Sequence, residues 1–320
     1  MIPIDWILEA SVRIAPYIRD TPLSVDPELD FYLKWENHQV TGSFKARGAF
    51  NKVLVLEDWE RDTGLIAASA GNHGQGVALA GQTFGIPVTI YVSEDAVPEK
   101  IDAMRALGAQ IILIPGGYSE PEKAALAQAA HSGASWISPY NDVQIIAGQG
   151  TIALEIMSQL AAYAKFQMRN ATWLVPSGGG GLLSGIGAVL ATLPERPKLV
   201  GVQAENSAFT HAIFHTGSQD KIAESATLAD GLAGSVEPNA ITIPLIRTYA
   251  DDFLLVSEDE IRDAITFAWE RFGERIEGSA ATTLAVALYR EISKPAVLII
   301  SGGNIQPEIH KQIITAVTKK

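Results

Sequence analysis

The sequence predicts an α/β chain built on mainly parallel sheets, and three observations carry that prediction. Short apolar runs alternate with helical patterns along most of the 320 residues. Those runs are apolar at consecutive positions, as strands covered on both faces are. Glycine-rich loops stand where runs give way to helices, the place where open α/β sheets bind their ligands.

The elements follow in order. Residues 64–68 predict a strand, followed by a polar glycine loop and a helix over 73–84. Residues 86–92 predict the next strand and 98–107 the next helix. A strand over 109–114, a helix over 120–130 and a longer helix over 148–166 come after them. Residues 172–175, 198–204, 253–256 and 296–300 are again strand-like. Ser257-Glu258-Asp259-Glu260 has the pattern of a capping box, opening a helix that runs to Phe272. Irregular connections follow the runs 64–134 and 172–204, which predicts two sheets with a site between them.

Composition narrows the function classes. With 36 acidic and 24 basic residues the formal charge is −12, and no Lys/Arg block is present, so neither nucleic acid nor an anionic membrane is an expected partner. Cysteine is absent, which excludes disulfides, thiolate metal sites and cysteine nucleophiles. Residues 170–194 carry no charge, but Pro176 and Gly178 to Gly181 interrupt them, so strand, loop and buried helix fit better than a membrane span. The first residues, Met1-Ile2-Pro3-Ile4-Asp5-Trp6, lack a basic region leading into an apolar stretch. The expected compartment is the cytoplasm.

Several motifs could carry chemistry. Gly178-Gly179-Gly180-Gly181 lies between a strand and a helix. Four glycines let backbone approach a ligand, and the helix start offers free N–H groups with the positive end of the dipole. Phosphate is the natural guest, although no Gly-Lys-Ser/Thr follows and Leu183 breaks the dinucleotide pattern. Ser69-Ala70-Gly71-Asn72-His73 forms a second loop of the same kind, rich in groups that bond a carboxylate or phenolic oxygen. A helix cap alone would need only Ser69 or Asn72. Lys45 sits in Ser43-Phe44-Lys45-Ala46-Arg47-Gly48-Ala49, among small and apolar neighbours. A desolvated lysine can be a Schiff-base nucleophile, while taken alone an ordinary surface lysine is the better reading. Ser301-Gly302-Gly303-Asn304 follows the last apolar run and alone is a turn sequence. Glu277-Gly278-Ser279 and Asp230-Gly231 are weaker still, a helix start and a turn. His211 and His215 are four apart with Glu205 upstream, a spacing that suits a solvated helix face better than a metal site.

Together the lysine, asparagine, glycine and serine motifs, spanning residues 43 to 304, resemble the fold-type II pyridoxal-phosphate enzymes. Within them the likeness is to the threonine/serine dehydratase and serine racemase branch. The resemblance implies a tryptophan synthase beta-like pair of open α/β domains. Residues 1–52 and 145–320 would form the large cofactor-binding domain, and 53–144 the small substrate-binding one. Lys45 would carry pyridoxal 5'-phosphate and then act as the base at the substrate Cα. Phe44 would pack beside the ring, Asn72 would bond the phenolic oxygen, and Gly178, Gly179, Gly180 and Gly181 would hold the phosphate. Ser301 would meet the pyridine nitrogen. The loop Ser69, Ala70, Gly71, Asn72 and His73 would receive the substrate carboxylate.

A neutral serine at the ring nitrogen keeps the carbanion short-lived and favours loss of a β-substituent. The implied activity is therefore β-elimination from L-threonine or L-serine, giving 2-oxobutyrate or pyruvate and ammonia. The alternatives are serine racemisation and dehydration of another 3-hydroxy amino acid, such as 3-hydroxyaspartate or phenylserine. Ala70 stands where related racemases carry a second serine, and a methyl group delivers no proton. Those relatives also bind a divalent cation through Glu and Asp six residues apart. Here Glu205 fits, Phe209 would supply the carbonyl, and His211 replaces the Asp, so no metal site is assigned. The only partners expected are an amino acid substrate and further copies of the chain, as a homodimer or higher homo-oligomer.

Overall fold

The computed structural model describes residues 1–117, 119–163 and 166–317. The chain opens with α1 (Ile4–Ile14), β1 (Leu23–Asp26), β2 (Phe31–Trp35), α2 (Lys45–Leu54) and the short α3 (Asp58–Asp62). There follow β3 (Leu65–Ala68), α4 (Asn72–Phe84), β4 (Val88–Ser93), α5 (Pro98–Ala106), β5 (Gln110–Ile114), α6 (Ser119–Ser132) and β6 (Ser135–Trp136). Next are α7 (Val143–Leu160), β7 (Thr172–Pro176), α8 (Gly181–Leu190), β8 (Lys198–Ala204), α9 (Phe209–Thr216) and α10 (Thr242–Tyr249). The last stretch holds β9 (Asp252–Val256), α11 (Glu258–Phe272), α12 (Gly278–Tyr289), β10 (Ala296–Ile300) and α13 (Pro307–Val317).

Two sheets result. One is six-stranded in the order β1-β2-β10-β7-β8-β9, parallel except for the antiparallel pair β1 and β2. The other is four-stranded, β5-β4-β3-β6, and wholly parallel. The apolar runs are explained by what covers them. Trp173, Val175, Val297 and Ile299 pack with residues of α1, α7 and α8, while Leu174, Leu298 and Ile300 pack with residues of α11 and α12. Both faces of β7 and β10 are core, so neither strand shows alternation. The uncharged stretch of residues 170–194 is β7, the glycine loop and the buried α8, and among the described residues no helix is long and apolar enough to cross a membrane.

The longest helix differs from expectation. The helix read over 148–166 is α7, Val143–Leu160; the positions 164 and 165 of that reading lie outside the described residues. It starts early because Asp142 caps it, its Oδ1 accepting from Gln144 N at 2.7 Å and Ile145 N at 3.1 Å. Gly148 and Gly150 are contact glycines inside the helix. A Cβ at Gly148 would lie 2.7 Å from the Arg47 carbonyl oxygen, and one at Gly150 would lie 2.9 Å from that of Gly185. The capping box at Ser257 is present, with Ser257 N donating to Glu260 Oε2 at 2.8 Å and Glu260 N to Ser257 Oγ at 3.3 Å.

A buried charge cluster anchors α2 to β2 and α7. Arg47 donates to Glu36 through Nε (2.8 Å) and Nη2 (2.7 Å), and Nη2 also lies 2.8 Å from Glu155. Lys34, wholly buried, donates to Glu155 at 2.5 Å and to the Thr21 carbonyl at 2.7 Å. Burial pushes the Glu36 carboxyl up, and Arg47 beside it more than reverses that, so it stays ionised.

Candidate active site

The lysine loop is tied to the loop after β10. Phe44 N donates to Ser301 O at 3.0 Å, Gly303 N to Gly42 O at 2.9 Å, and Ser43 pairs with Gly302 across an isolated antiparallel bridge. Lys45, the first residue of α2, is thereby set beside Ser301, which is 2% exposed at the end of β10. The Lys45 ammonium donates to Pro139 O at 3.0 Å and stands 5.3 Å from the centre of the Phe44 ring. Burial lowers its pKa to about 8, against the opposing pull of Glu277. A useful fraction of the amine is then free at neutral pH, as a nucleophile or base requires.

The asparagine loop leaves β3 and enters α4 at Asn72. Ser69 Oγ accepts from Gly71 N at 3.2 Å and holds the turn. Asn72 Nδ2 donates to Glu277 Oε1 at 2.8 Å, and Asn72 Oδ1 accepts from Asn304 Nδ2 at 2.7 Å. His73 is buried, with Nε2 at 2.8 Å from Ile137 O. A carbonyl can only accept, so Nε2 carries the proton. Burial, helped by the charge of Lys45, pushes this imidazole down to about 3, so it is neutral throughout the physiological range.

The glycine loop joins β7 to α8. Gly180 has φ +84°, and a Cβ there would lie 2.3 Å from Ile246 Cδ1. At Gly179 a Cβ would meet the Tyr140 ring at 2.3 Å, and at Gly178 it would meet Leu232 at 3.0 Å. The run of glycine is thus imposed by close walls as well as by the turn. The first amides of α8 have no carbonyl one turn back to bond. Beside them the hydroxyls of Ser177 and Thr242 are buried without partners. Free N–H groups and unpaired hydroxyls at a helix start suit an anionic phosphate. The residues present therefore fit a phosphorylated cofactor.

Residues 137–141 draw the three loops together. Ile137 holds His73, Pro139 holds Lys45, and Tyr140 lies over Gly179 and Gly181. Tyr140 Oη accepts from Glu237 N at 2.8 Å, and burial raises its pKa, so it remains a phenol. No motif in the sequence singles out Tyr140, and Glu277 reads there as a mere helix start. Ser279 does not cap α12, and its hydroxyl is buried without a partner, facing Gly231. Asp230, expected only in a turn, pairs with Lys100 of α5 at 2.6 Å. Glu205 opens a short 3-10 turn after β8, away from these loops in the chain, and His211 lies against His215 with ring centres 4.4 Å apart and planes tilted by 54°. Among the described residues no group of three or more acidic or histidine side chains could hold a metal.

Known proteins resemble this chain in sequence and in fold. The chain is 40% identical over 322 residues to the L-threonine ammonia-lyase of Thermotoga maritima, covering 98% of this chain and 78% of that one. The T.th. threonine deaminase superposes with a TM-score of 0.85 at 34% identity, covering 94% of this chain and 98% of the other. The serine racemase of Dictyostelium discoideum does so with a TM-score of 0.84 at 34% identity, covering 95% and 99%. The family model for pyridoxal-phosphate dependent enzymes matches residues 11–302, and the chain belongs to that family.

Proposed function

We propose that the chain is an ammonia-lyase that eliminates water from L-threonine, L-serine or both to an enamine, which takes water up again to give 2-oxobutyrate or pyruvate and ammonia. The observation that carries this reading is the bond from Phe44 N to Ser301 O. It sets a neutral hydroxyl residue beside the lysine loop, where a carboxylate would favour longer-lived carbanions. The threonine ammonia-lyase and deaminase likenesses support it.

When bound, pyridoxal phosphate supplies an electron sink for the pair left at Cα. Lys45 would hold the cofactor through its amine and would serve as the base for the substrate's Cα proton. Phe44 would lie beside the ring, and Ser301 would be the partner of its nitrogen. Gly178, Gly179, Gly180 and Gly181 would bind the phosphate with backbone N–H groups. Ser69, Ala70, Gly71 and Asn72 line the carboxylate pocket, with neutral His73 fixing the loop against Ile137 from behind. The β-hydroxyl would leave as water after taking up a proton in the site, and the enamine released would take up water to give the 2-oxo acid and ammonia. Racemisation is the second reading, favoured by the serine racemase likeness and opposed by Ala70, which offers no proton to the opposite face.

In the same reading, residues 1–52 and 145–320 form the large domain and 53–144 the small one. The six-stranded sheet draws every strand from the first set and the four-stranded sheet every strand from the second, which supports that division. The compartment we assign is the cytoplasm, and the working form a homo-oligomer, on family analogy.

The test supplies the purified chain with pyridoxal phosphate and L-threonine, L-serine, 3-hydroxyaspartate or phenylserine, and measures 2-oxo acid together with D-serine. Fast 2-oxobutyrate release without D-serine is the expected result; D-serine in excess of pyruvate would overturn it. Gly179→Ala should weaken cofactor binding by about tenfold or more, since its methyl group would strike a ring held by Glu237. Fluorescence titration with the cofactor measures this.

A further inference from the structure

Asn72 is clamped between two side chains that leave its amide a single orientation. Its Oδ1 faces Asn304 Nδ2 at 2.7 Å, and its Nδ2 faces Glu277 Oε1 at 2.8 Å. Asn304 cannot turn over, because its Nδ2 also donates to Thr41 O at 2.8 Å. Glu277, 7% exposed, accepts from the Asn304 backbone N–H through Oε2 at 3.2 Å, while its own backbone N donates to Gly302 O at 3.1 Å. The glycines of the serine motif and the lysine loop make room for this clamp. A Cβ at Gly302 would lie 2.8 Å from Glu277 Oε1, and one at Gly42 would lie 2.5 Å from Asn304 Oδ1.

We propose that Glu277 is a positioning residue that holds Asn72 with one N–H directed to the cofactor's phenolic oxygen. The inference rests on the cofactor placement given under Proposed function. Both neighbours of Glu277 donate, and the ionised carboxylate meets them with two full acceptor oxygens. A protonated Glu277 keeps one full acceptor and turns its other oxygen into an O–H donor, and a glutamine has one acceptor oxygen and an NH2 with two donors. The backbone N–H of Asn304 claims the acceptor, and the donor then faces Asn72 Nδ2. Asn72 can relieve that clash only by turning over, which sets its NH2 against the NH2 of Asn304. Either way the N–H offered to the site is lost or misaimed.

The charges around Glu277 make this orientation depend on pH. Burial raises its pKa to about 7, Asp230 adds to the rise, and Asn72, Lys100 and Asn304 oppose it. The charge of Lys45 also lies within reach of its field. The ionised form that holds Asn72 is complete above that range and is lost as the pH falls through it.

Cofactor affinity of the full chain, measured for wild type, Glu277→Gln, Asn72→Ala and the double variant, tests the proposal. Glu277→Gln is expected to weaken binding by about tenfold when Asn72 is present, and by less than about twofold in the Asn72→Ala background. Wild-type affinity should also show a step near neutral pH that Glu277→Gln lacks. Equal weakening in both backgrounds, or none in either, overturns the proposal. Asn304→Ala is a second variant that removes the other half of the clamp, and it should couple to Asn72 in the same way; additivity there overturns it too. If the wild-type chain takes up no cofactor, the underlying reading fails as well, whereas uptake with additive variants sinks the positioning role alone.

Discussion

Lys45→Ala is expected to fold normally and to lose at least about 10⁴-fold in turnover, together with the visible absorbance of a lysine-bound cofactor. The fold should tolerate the change because little depends on the lysine itself. Among the described residues its side chain makes one hydrogen bond, to Pro139 O, and alanine is a good residue for the first turn of α2. The sign of the linkage points the same way. The folded pKa of about 8 lies below the ordinary lysine value of 10.5, so below the latter the unfolded chain binds more protons than the folded one. Near neutral pH the lysine therefore costs stability, and its removal should leave the unfolding midpoint unchanged or slightly higher. Turnover, the absorbance spectrum and a urea melt on one preparation decide the matter. Retained absorbance with full turnover would remove Lys45 from the chemistry altogether.

Arg47→Met should destabilise the chain by about 3–5 kcal/mol, a large share of a typical folding free energy. Arg47 and Glu36 are both fully buried, and the guanidinium grips the carboxylate at two points while also meeting Glu155. Removing the cation strands Glu36 with only Thr21 as a hydroxyl donor. Replacing both members, as Glu36→Leu with Arg47→Met, should recover most of the loss, since no buried charge is then orphaned. Arg47→Lys should behave like a partial deletion, because an ammonium cannot reproduce the planar two-point grip. Urea unfolding of the four proteins measures each step. A cost below about 1 kcal/mol for Arg47→Met would mean that water replaces the guanidinium, as at exposed pairs.

Much of the fold was legible because burial on both faces leaves a plain signal, an uninterrupted apolar run such as that of β10. The strand β2 left none. Its sequence, Phe31-Tyr32-Leu33-Lys34-Trp35, carries a lysine that local reasoning assigns to the surface, and only the distant Glu155 and Thr21 explain its burial. Its parallel pairing with β10, from the other end of the chain, has no local trace. The start of α7 was obscured for a related reason. Gly148 looks like the boundary of a helix, yet five residues before it are helical too, and it and Gly150 are small because α2 and α8 press against them. The four site motifs were legible jointly, through their order and spacing. What gathers them was not: Tyr140 and Glu277 act through contacts with residues far away in sequence, and neither stands in a distinctive local pattern.

The pair Lys100 and Asp230 joins the helix after β4 to the turn that touches the glycine loop, so it ties one sheet's unit to the other beside the site. Asp230 keeps 60% of its side chain in solvent, and such ties contribute at most about 1 kcal/mol and fade as salt screens them. On the lysine side the two units meet differently, with Gly76 of α4 against the backbone of Lys45, where a Cβ would have only 3.3 Å. Raising the ionic strength therefore weakens the Lys100–Asp230 contact, while the close approach of Gly76 to Lys45, which involves no charge, is left unchanged.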